Sequence, residues 1–492
     1  MAIDASALLD STMLERGHLI PRYQFGAKPR RRTELGMLVM VDAIVLAFWW
    51  TLEISRTNQS PQVWWPVVAS VVGGSAVLHL ANRWLAPRAN SIFVPVIVLL
   101  NGIGFVTILR WWPLHGDLGH NRAILQAIWS GVGCLLYVIT LFVVRRSRDL
   151  DRYRSISLLV AIILMLSPLI PGIGATVNGA RLWLHIFGFS VQPIEFAKIL
   201  LCLFFASYFA ENRELLSVNS ARIGNRLFLD PRPMFPILAV WGLTMVVIGG
   251  ENDIGFALLV FTVFIALLWV TTGRWAYLVI GFSMFAVGAY IASHLFAQFN
   301  QRVSIWLDPW TPDLINGRGR QIVQGWFSLS SGGLTGTGLG QGQSGRWVSE
   351  ITNDMIVTSI GEELGLLGAS IVVICFVFYV GAGMRTAQRA RSAFSRLAAV
   401  AMTLIVGLQA FFILAGVLRL LPLTGIALPF VAYGGSTLMA NYILTAILMR
   451  ISDEEPGVPP ARPGGPTIVE APSRRALRRQ GSAPDPGVAA QG

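Results

Sequence analysis

Lysine is almost absent from the sequence, which contains only Lys28 and Lys198 beside 36 arginines. Charged residues of every kind are scarce, since Asp, Glu, Lys and Arg make up 13% of the 492 residues. Soluble domains carry about 25% charged residues, so the composition excludes an ordinary soluble protein. The 54% share of hydrophobic residues and the mean hydropathy of +0.61 predict a membrane protein instead.

Few residues are available for disulfide bonds or metal binding. The three cysteines, Cys134, Cys202 and Cys375, all lie within apolar runs, which predicts packing positions rather than a disulfide framework. The six histidines lack metal-ligand spacing, so we predict no metal-ligating residues. The net charge of +12 comes from short arginine clusters between apolar runs. This pattern orients membrane helices and argues against nucleic acid as a partner.

Twelve apolar segments are long enough to cross a bilayer. They lie near residues 35–55, 65–85, 91–110, 123–144, 155–171, 192–210, 233–249, 253–272, 275–295, 354–383, 396–419 and 424–450. Basic loops alternate with less basic ones, so the positive-inside rule places both termini in the cytoplasm. The sequence therefore predicts an all-α polytopic protein of the cytoplasmic membrane with about 12 transmembrane helices.

The segments outside these helices differ in character. Residues 1–34 are polar and basic, and we expect no cleavable signal peptide there. The tail, 452–492, is rich in Pro, Gly, Ala and Arg and is predicted to be disordered in the cytoplasm. The outer segment 296–353, between helices 9 and 10, is far longer than an ordinary connection, so we expect it to be functional. A GxGxxG match within 340–345 neither follows a strand nor opens a helix, which excludes a dinucleotide site.

Lys198 lies within the apolar stretch "SVQPIEFAKILL" (190–201). If Gln192 caps a helix there, Pro193 occupies its first position and Glu195 faces the positive end of the helix dipole. Lys198 then lies about 8 Å into the helix, where the dipole disfavours a cation. Two interpretations stay open: a structural ion pair with Glu195, or a cation that serves an anionic ligand or a catalytic carboxylate.

Acidic residues mark the start of two later helices. Asp253, in "GGENDIGFALLVF", directly precedes an apolar run and suits a helix N-cap. One face of the helix after residue 353 carries four polar or small residues: Asp354, Thr358, Gly361 and Glu362. Such a stripe favours a wet cavity over a lipid contact. Glu362 and Glu363 are alternatively partners for arginines of neighbouring helices.

The outer loops add further candidates. Arg181 and Trp183 lie in "NGARLWL" (178–184), and a guanidinium near Lys198 suits a diphosphate, although an exposed arginine is ordinarily just solvated. Ser436 lies in a stretch interrupted by Pro429 and two glycines, where lining and plain packing are both open. The residues alone predict an outward-facing polar cavity for an amphiphilic, anionic substrate. Its predicted lining is Arg181, Lys198, Asp253, Asp354 and Glu362.

Several stretches resemble the SEDS family (shape, elongation, division and sporulation), which includes the RodA and FtsW proteins. They are "NGARLWL", "FSVQPIEFAKILL", "ENDIGFALLVF", "GRQIVQGWFSLSSGGLTGTGLGQGQ", "NDMIVTSIGEELGLLG" and "PLTGIALPFVAYGGSTLMANYIL". The resemblance implies a ten-helix core over 91–451, preceded by two additional helices within 35–90. That extension looks like the RodA-type proteins of actinobacteria.

The resemblance also implies a function. Family members are peptidoglycan glycosyltransferases that polymerise lipid II at the outer face of the membrane, with a class B penicillin-binding protein as partner. The family's essential aspartate falls on Asp354, preceded here by Thr352 where histidine is usual, and other family positions fall on Lys198 and Asp253.

We therefore predict Asp354 as the general base. Arg181, Lys198, Asp253, Glu362 and Ser436 are predicted to bind substrate, and Gln192, Trp183, Glu195 and Glu363 to support the site. No cofactor is required by the sequence, and a divalent cation, Mg²⁺ or Mn²⁺, stays an open alternative. The competing hypotheses are a lipid II flippase, a division-type polymerase of the FtsW kind, and a scaffold for the cell-wall machinery.

Overall fold

The computed structural model describes residues 31–57, 65–111, 122–171, 174–177, 180–186, 189–217, 221–223, 226–228, 235–251, 253–295 and 297–454. The α-helices are α1 (Arg31–Thr57), α2 (Trp65–Val68), α3 (Gly74–Leu85), α4 (Phe93–Trp111), α5 (Arg122–Val143), α6 (Asp149–Arg152), α7 (Arg154–Leu166), α8 (Ile194–Glu211), α9 (Arg213–Ser217), α10 (Phe235–Glu251), α11 (Ile254–Thr272), α12 (Trp275–Leu295), α13 (Ala297–Leu307), α14 (Pro312–Ile315), α15 (Arg320–Gly332), α16 (Ile356–Arg389), α17 (Ala393–Val417) and α18 (Gly435–Asp453). Each of the twelve predicted apolar segments overlaps at least one of them. Most of the predicted N-terminal segment 1–34 and of the tail 452–492 lies outside the described residues.

Six helical stretches of the described residues are long and apolar enough to cross a membrane. They are Arg31–Ser55, Phe93–Trp111, Arg122–Val143, Gly255–Thr272, Ile356–Arg389 and Ala393–Val417. Three further helices are also apolar but shorter: Arg154–Leu169, Ile237–Glu251 and Trp275–Tyr290. The predicted helical, multi-pass architecture is confirmed, whereas the exact number of twelve spans is not.

Two connections between helices contain short strands, which the sequence analysis did not predict. The strands are β1 (Gly174–Val177), β2 (Ala180–Ile186), β3 (Phe189–Val191), β4 (Ala221–Ile223) and β5 (Arg226–Phe228). The first three form one antiparallel sheet in the order β1-β2-β3, and the last two form a hairpin. Backbone groups outside a helix need other partners, and here they pair with each other. The sequence signal was the Asn-Gly dipeptide between β1 and β2, which favours a tight hairpin.

The long segment 296–353 is largely helical rather than an open loop. It contains α13, α14, α15 and a short 3₁₀ turn over Ser344–Arg346. Helix α15 packs against α16, while α17 packs against α8, α11 and α16. These contacts gather the start of α8, the start of α11 and the segment before α16 around one end of α17.

Helix α16 is interrupted at Gly365, whose φ of 68° and ψ of −168° are not helical. The backbone groups released by this break pair with the glycine-rich segment after α15. Leu366 N–H donates to Gly333 O (3.0 Å) and Leu367 N–H to Leu334 O (3.2 Å), while Thr337 N–H donates to Glu362 O (2.9 Å). Broken helices at membrane depth are stable only where such partners exist.

Replacing Gly365 with alanine should destabilise the fold. A Cβ there would lie 2.3 Å from the backbone nitrogen of Gly336, and the backbone angles belong to a region that only glycine adopts readily, at a cost of about 1–3 kcal/mol. We expect a lower melting temperature in detergent for Gly365→Ala.

Gly381→Ala is the matched control, because Gly381 lies in the same helix and a Cβ added there would meet no other atom within 4 Å. Alanine favours a helix interior by about 1 kcal/mol over glycine, so this variant should melt no lower than the parent. Equal losses in both variants would contradict the role given to the break.

Candidate functional site

The start of α8 differs from the predicted capping arrangement. Pro193 occupies the N-cap position, and no side chain caps the helix there. Gln192 therefore does not cap α8 through its side chain; its backbone N–H donates instead to Ser436 Oγ (2.8 Å) at the start of α18. This contact joins two predicted site residues that are 244 positions apart in the sequence.

Lys198 is 1% exposed and lies among protein groups. Its Nζ forms an ion pair with Glu195 and donates to Gln409 Oε1 of α17 (3.1 Å). Glu195 is thus the partner of the lysine rather than a cap for the helix start. Removing one member of a buried ion pair leaves an uncompensated charge, so the two residues depend on each other.

Asp253 caps α11, as the sequence predicts. Its carboxylate accepts a hydrogen bond from Phe256 N–H (2.9 Å). Burial raises the pKa of Asp253 to about 6; the Phe256 N–H and the Arg302 guanidinium lower it, and the Glu195 carboxylate raises it further. Because Glu195 acts on Asp253, the ion pair of α8 and the cap of α11 belong to one electrostatic group.

Asp354 lies in the turn just before α16 and is partly exposed. Burial raises its pKa to about 6, the Arg302 guanidinium lowers it, and the carboxylates of Glu350 and Asp253 raise it. The Asp253 carboxylate is therefore close enough to act on the pKa of Asp354; that the two residues share one substrate site stays a prediction. A carboxyl group with a pKa near 6 is suited to accept a proton near neutral pH.

Arg302 in α13 is the site residue that sequence reasoning missed. Its Nη1 donates to the carbonyl oxygens of Leu423 (3.1 Å) and Thr424, in the segment between α17 and α18. The same Thr424 carbonyl lies against Gly255 at the start of α11, where a Cβ would come within 2.5 Å. Arg302 is thus fixed beside the start of α11, near enough for its charge to lower the pKa of both Asp253 and Asp354. One arginine among 36 carries no sequence signal, and only the fold distinguishes it.

The turn that carries Asp354 is held from the side by Thr352, which is fully buried. Arg122 Nη1 donates to Thr352 Oγ1 (2.9 Å), and Tyr433 N–H donates to the Thr352 carbonyl (2.8 Å). The Arg122 guanidinium also lies 5.6 Å from the centre of the Tyr433 ring. Glu350, four residues before Asp354, has a positive φ of 54°. Such strain persists only where surrounding contacts enforce it.

Glu362 and Glu363 hold the glycine-rich segment 338–345. The Glu362 carboxylate accepts hydrogen bonds from Gln343 N–H (2.8 Å) and Ser344 N–H (2.9 Å). Glu363 accepts from Gly340 N–H (3.1 Å) and pairs with Arg110 of α4 (2.9 Å). The arginine-partner interpretation thus holds for Glu363. A substrate contact of Glu362 stays a prediction, to be weighed against these two bonds.

The polar stripe of α16 does not line a wet cavity along its length. Thr358 is buried, and its hydroxyl donates to Met355 O (2.7 Å). Gly361 packs against α15, since a Cβ there would meet the Leu329 side chain at 2.4 Å. The helical spacing correctly predicted one shared face, but that face packs on the amphipathic helix α15.

The remaining predicted residues lie on other elements. Arg181 and Trp183 are two positions apart on β2 and flank an irregularity in its pairing with β1; Arg181 is exposed and Trp183 is partly buried. Their role in substrate binding stays a prediction. In the described part of the chain, no three His, Cys, Asp or Glu side chains are arranged to hold a metal ion.

The fold and these motifs match a family of known proteins. The family model of the FtsW/RodA/SpoVE cell cycle proteins matches residues 90–456. The chain belongs to this family. The match begins after α3, so α1, α2 and α3 precede the family's part of the chain.

Several family members are similar over most of their length. The peptidoglycan glycosyltransferase RodA of Mycobacterium tuberculosis is 37% identical over 433 residues, which cover 86% of this chain and 90% of that protein. The RodA of Mycobacterium leprae is 34% identical over 456 residues, with 92% and 96% covered. A probable FtsW from a Geobacter species is 33% identical over 291 residues, with 59% and 76% covered.

Solved structures show the same fold. A chain from a structure on the coordination of polymerization and crosslinking by a peptidoglycan synthase complex superposes with a TM-score of 0.58 at 21% identity, covering 74% of this chain and 97% of that one. RodA of Thermus thermophilus gives a TM-score of 0.54 at 20% identity, covering 76% and 99%. These comparisons confirm the predicted family and the predicted enzyme class, a peptidoglycan glycosyltransferase.

A pair of variants separates the two interpretations of Lys198 in this FtsW/RodA/SpoVE protein. Lys198→Met alone leaves Glu195 buried without its cation, which should cost about 3–5 kcal/mol. The double variant Glu195→Gln/Lys198→Met removes both charges, so its melting temperature in detergent should return towards that of the parent.

Activity then decides the question. If the pair has only a structural role, the double variant regains glycan synthesis together with stability. We expect it to regain stability alone, because the loss of Glu195 also changes the electrostatic environment of Asp253. Full activity in the stable double variant would contradict a functional role for the pair.

Proposed function

We propose that this protein polymerises lipid II into glycan strands, with Asp354 as the general base. The observation that supports the proposal most directly is the partly exposed carboxylate of Asp354, whose pKa burial raises to about 6 and the charge of Arg302 lowers. The Arg302 guanidinium is itself held by two carbonyl groups. This arrangement lies where membrane helices end, which is where a lipid-linked sugar presents its headgroup.

The reaction transfers the glycan of one lipid-linked molecule, the donor, to a sugar hydroxyl of another, the acceptor. Asp354 accepts the proton of the acceptor's 4-hydroxyl, and the oxygen forms a bond to the anomeric carbon of the donor. The bond between that carbon and the phosphate oxygen breaks, and undecaprenyl diphosphate leaves with the electron pair. Exposed Arg181 is our candidate for contact with the diphosphate, and Arg302 supplies positive charge nearby.

Lys198 has a supporting part in this proposal. Its Nζ is occupied by Glu195 and Gln409, so it acts on the site through Glu195 and Asp253. A divalent cation at the diphosphate stays a separate hypothesis, in which the cation would neutralise the leaving group.

The proposed setting is the cytoplasmic membrane, with both termini inside and the site facing outward, as the arginine-rich loops indicate. The similarity to a chain of a peptidoglycan synthase complex supports a class B penicillin-binding protein as partner.

RodA relatives match more of the chain, at higher identity, than FtsW relatives, which favours a role in elongation over division. A flippase would move lipid II without lengthening glycan, so a polymerisation assay distinguishes it.

Asp354→Asn should insert and fold normally but lose glycan synthesis. Loss of a general base costs about 10²–10⁴-fold in rate. The measurement is the length and amount of glycan that purified protein makes from lipid II, with and without a class B penicillin-binding protein. Asp313→Asn, an exposed carboxylate of α14, is the matched control and should stay active. Parent-like polymerisation by Asp354→Asn would contradict the proposal.

The pH dependence of the rate should show whether Asp354 is the general base, because substitutions of two charged neighbours shift its pKa in opposite directions. A general base acts in its deprotonated form, so the rate should fall as the pH drops below about 6, the pKa of Asp354. Arg302→Gln removes a charge that lowers this pKa, so the acid limb should move to higher pH. Asp253→Asn removes a charge that raises it, and the limb should move to lower pH.

Arg318→Gln is the control for the first variant, because Arg318 is an exposed arginine of the same outer segment. Its acid limb should coincide with that of the parent. The position of the limb is read independently of the maximal rate, which a change in folding would alter. Shifts of the same sign in Arg302→Gln and Asp253→Asn would overturn the assignment of the base.

A further inference from the structure

A group of large apolar side chains is exposed on the segment between α12 and α16 and just after α17. We call it the outer apolar patch; its members are Leu307 (62% exposed), Trp310 (48%), Phe327 (53%), Leu418 (59%) and Leu420 (64%). The ring centres of Trp310 and Phe327 are 6.4 Å apart, and that of Trp310 is 6.0 Å from Trp326. Contiguous exposed apolar side chains of this kind mark an interaction surface.

The patch is fixed to the end of α17 by polar contacts. Trp326 Nε1 donates to Val417 O (2.7 Å), and Trp306 Nε1 donates to Arg419 O (3.1 Å). Arg419 Nε donates in return to Trp306 O (2.8 Å). Arg419 has a positive φ of 60°, which for a non-glycine residue requires surrounding contacts to enforce it. Helices α13 and α15 therefore hold a set position relative to the end of α17.

The end of α17 indicates the depth of the outer apolar patch relative to the membrane. Ala393–Val417 is long and apolar enough to span the membrane. Its 25 residues make a helix about 37 Å long, so its end at Val417 lies close to one boundary of the hydrocarbon region, which is about 30 Å thick. Leu418 and Leu420 follow this boundary directly, and the indole contacts bring Trp310 and Phe327 to the same end of α17.

We propose that the outer apolar patch inserts into the lipid headgroup region, so that α13 to α15 rest on the bilayer beside the site. The exposed tryptophan of the patch, Trp310, belongs to a residue type that is enriched at the membrane–water interface. Arg320 supports the assignment. It is exposed and lies seven positions before Phe327 on the same face of α15, where a guanidinium can reach lipid phosphates while the aromatic ring enters the apolar layer.

A lipid surface fits the patch better than a protein partner because the patch continues the surface of a spanning helix. Phe411 on α17, within the same span, is also exposed, so lipid-facing side chains lead up to Leu418. The inference concerns where the outer segment lies, and it holds whether or not the proposed glycosyl transfer is correct.

Spin labels at single cysteines test the proposal in lipid nanodiscs of phosphatidylethanolamine and phosphatidylglycerol, without any partner protein. Trp310→Cys and Leu420→Cys report on the patch, and Asp313→Cys and Arg318→Cys are exposed polar controls from the same segment. The native cysteines are all buried, and the unsubstituted protein gives the background of labelling. Collisions with oxygen, which partitions into lipid, are compared with collisions with a water-soluble nickel chelate.

We expect the ratio of oxygen to nickel accessibility to be several-fold higher at positions 310 and 420 than at 313 and 318. Equal ratios at all four positions would place the patch in water and overturn the proposal. Low accessibility to both reagents at 310 and 420, in discs that hold one chain, would show burial in protein and overturn it as well. Two separate patch positions guard against the failure of one variant to fold, which size-exclusion chromatography detects.

Discussion

The site depends on one cation whose charge acts on two carboxyl groups, one at the start of α11 and one in the turn before α16. Arg302 lowers the pKa of both Asp253 and Asp354, which burial raises. Without such a cation, the pKa of each carboxyl group would be higher, and a smaller fraction of each would be ionised at neutral pH. Arg302 keeps its position because carbonyl groups of the α17–α18 segment bind it. The remaining contacts of the site can be understood as supports for this arrangement.

Two of these supports, Glu195 and Lys198, are charged residues of α8. Glu195 raises the pKa of Asp253, and Lys198 neutralises Glu195 from within α8. Charges are costly at membrane depth unless they are paired, so the lysine and the glutamate are stable only as a unit. Charges of alternating sign thus connect α8, the start of α11, helix α13 of the outer segment and the turn before α16 in one electrostatic group. The residues that carry them are Lys198, Glu195, Asp253, Arg302 and Asp354.

Sequence reasoning predicted those parts of the structure that depend on local chemistry. The apolar segments follow from composition, and the Asp253 cap follows from the position of the residue at a helix start. The ion pair of Lys198 with Glu195 follows from the cost of a buried charge. The assumption that Gln192 caps α8 does not hold, because the N-cap position falls on Pro193; the contact of the Gln192 backbone with Ser436 of a distant helix could not be foreseen from local sequence. Arg302 could not be predicted, since its role comes from carbonyl groups about 120 residues away. The strands over 174–191 were missed because apolar length, the main signal in this chain, does not detect short hairpins.

The glycine-rich segment 338–345 contributes no reacting group, but its contacts beside the break in α16 help to fix the position of Asp354. Glu362 and Glu363 precede Gly365, and their side chains bind backbone amides of 338–345 while their carbonyl groups bind those of Thr337 and Gly338. The segment thus fixes the first part of α16, which begins two residues after Asp354. A positively charged neighbour tunes a carboxylate only over a short distance, so the position of Asp354 relative to Arg302 has to be held closely. The broken helix supplies this constraint from one side, and the Thr352 contacts with Arg122 and Tyr433 supply it from the other.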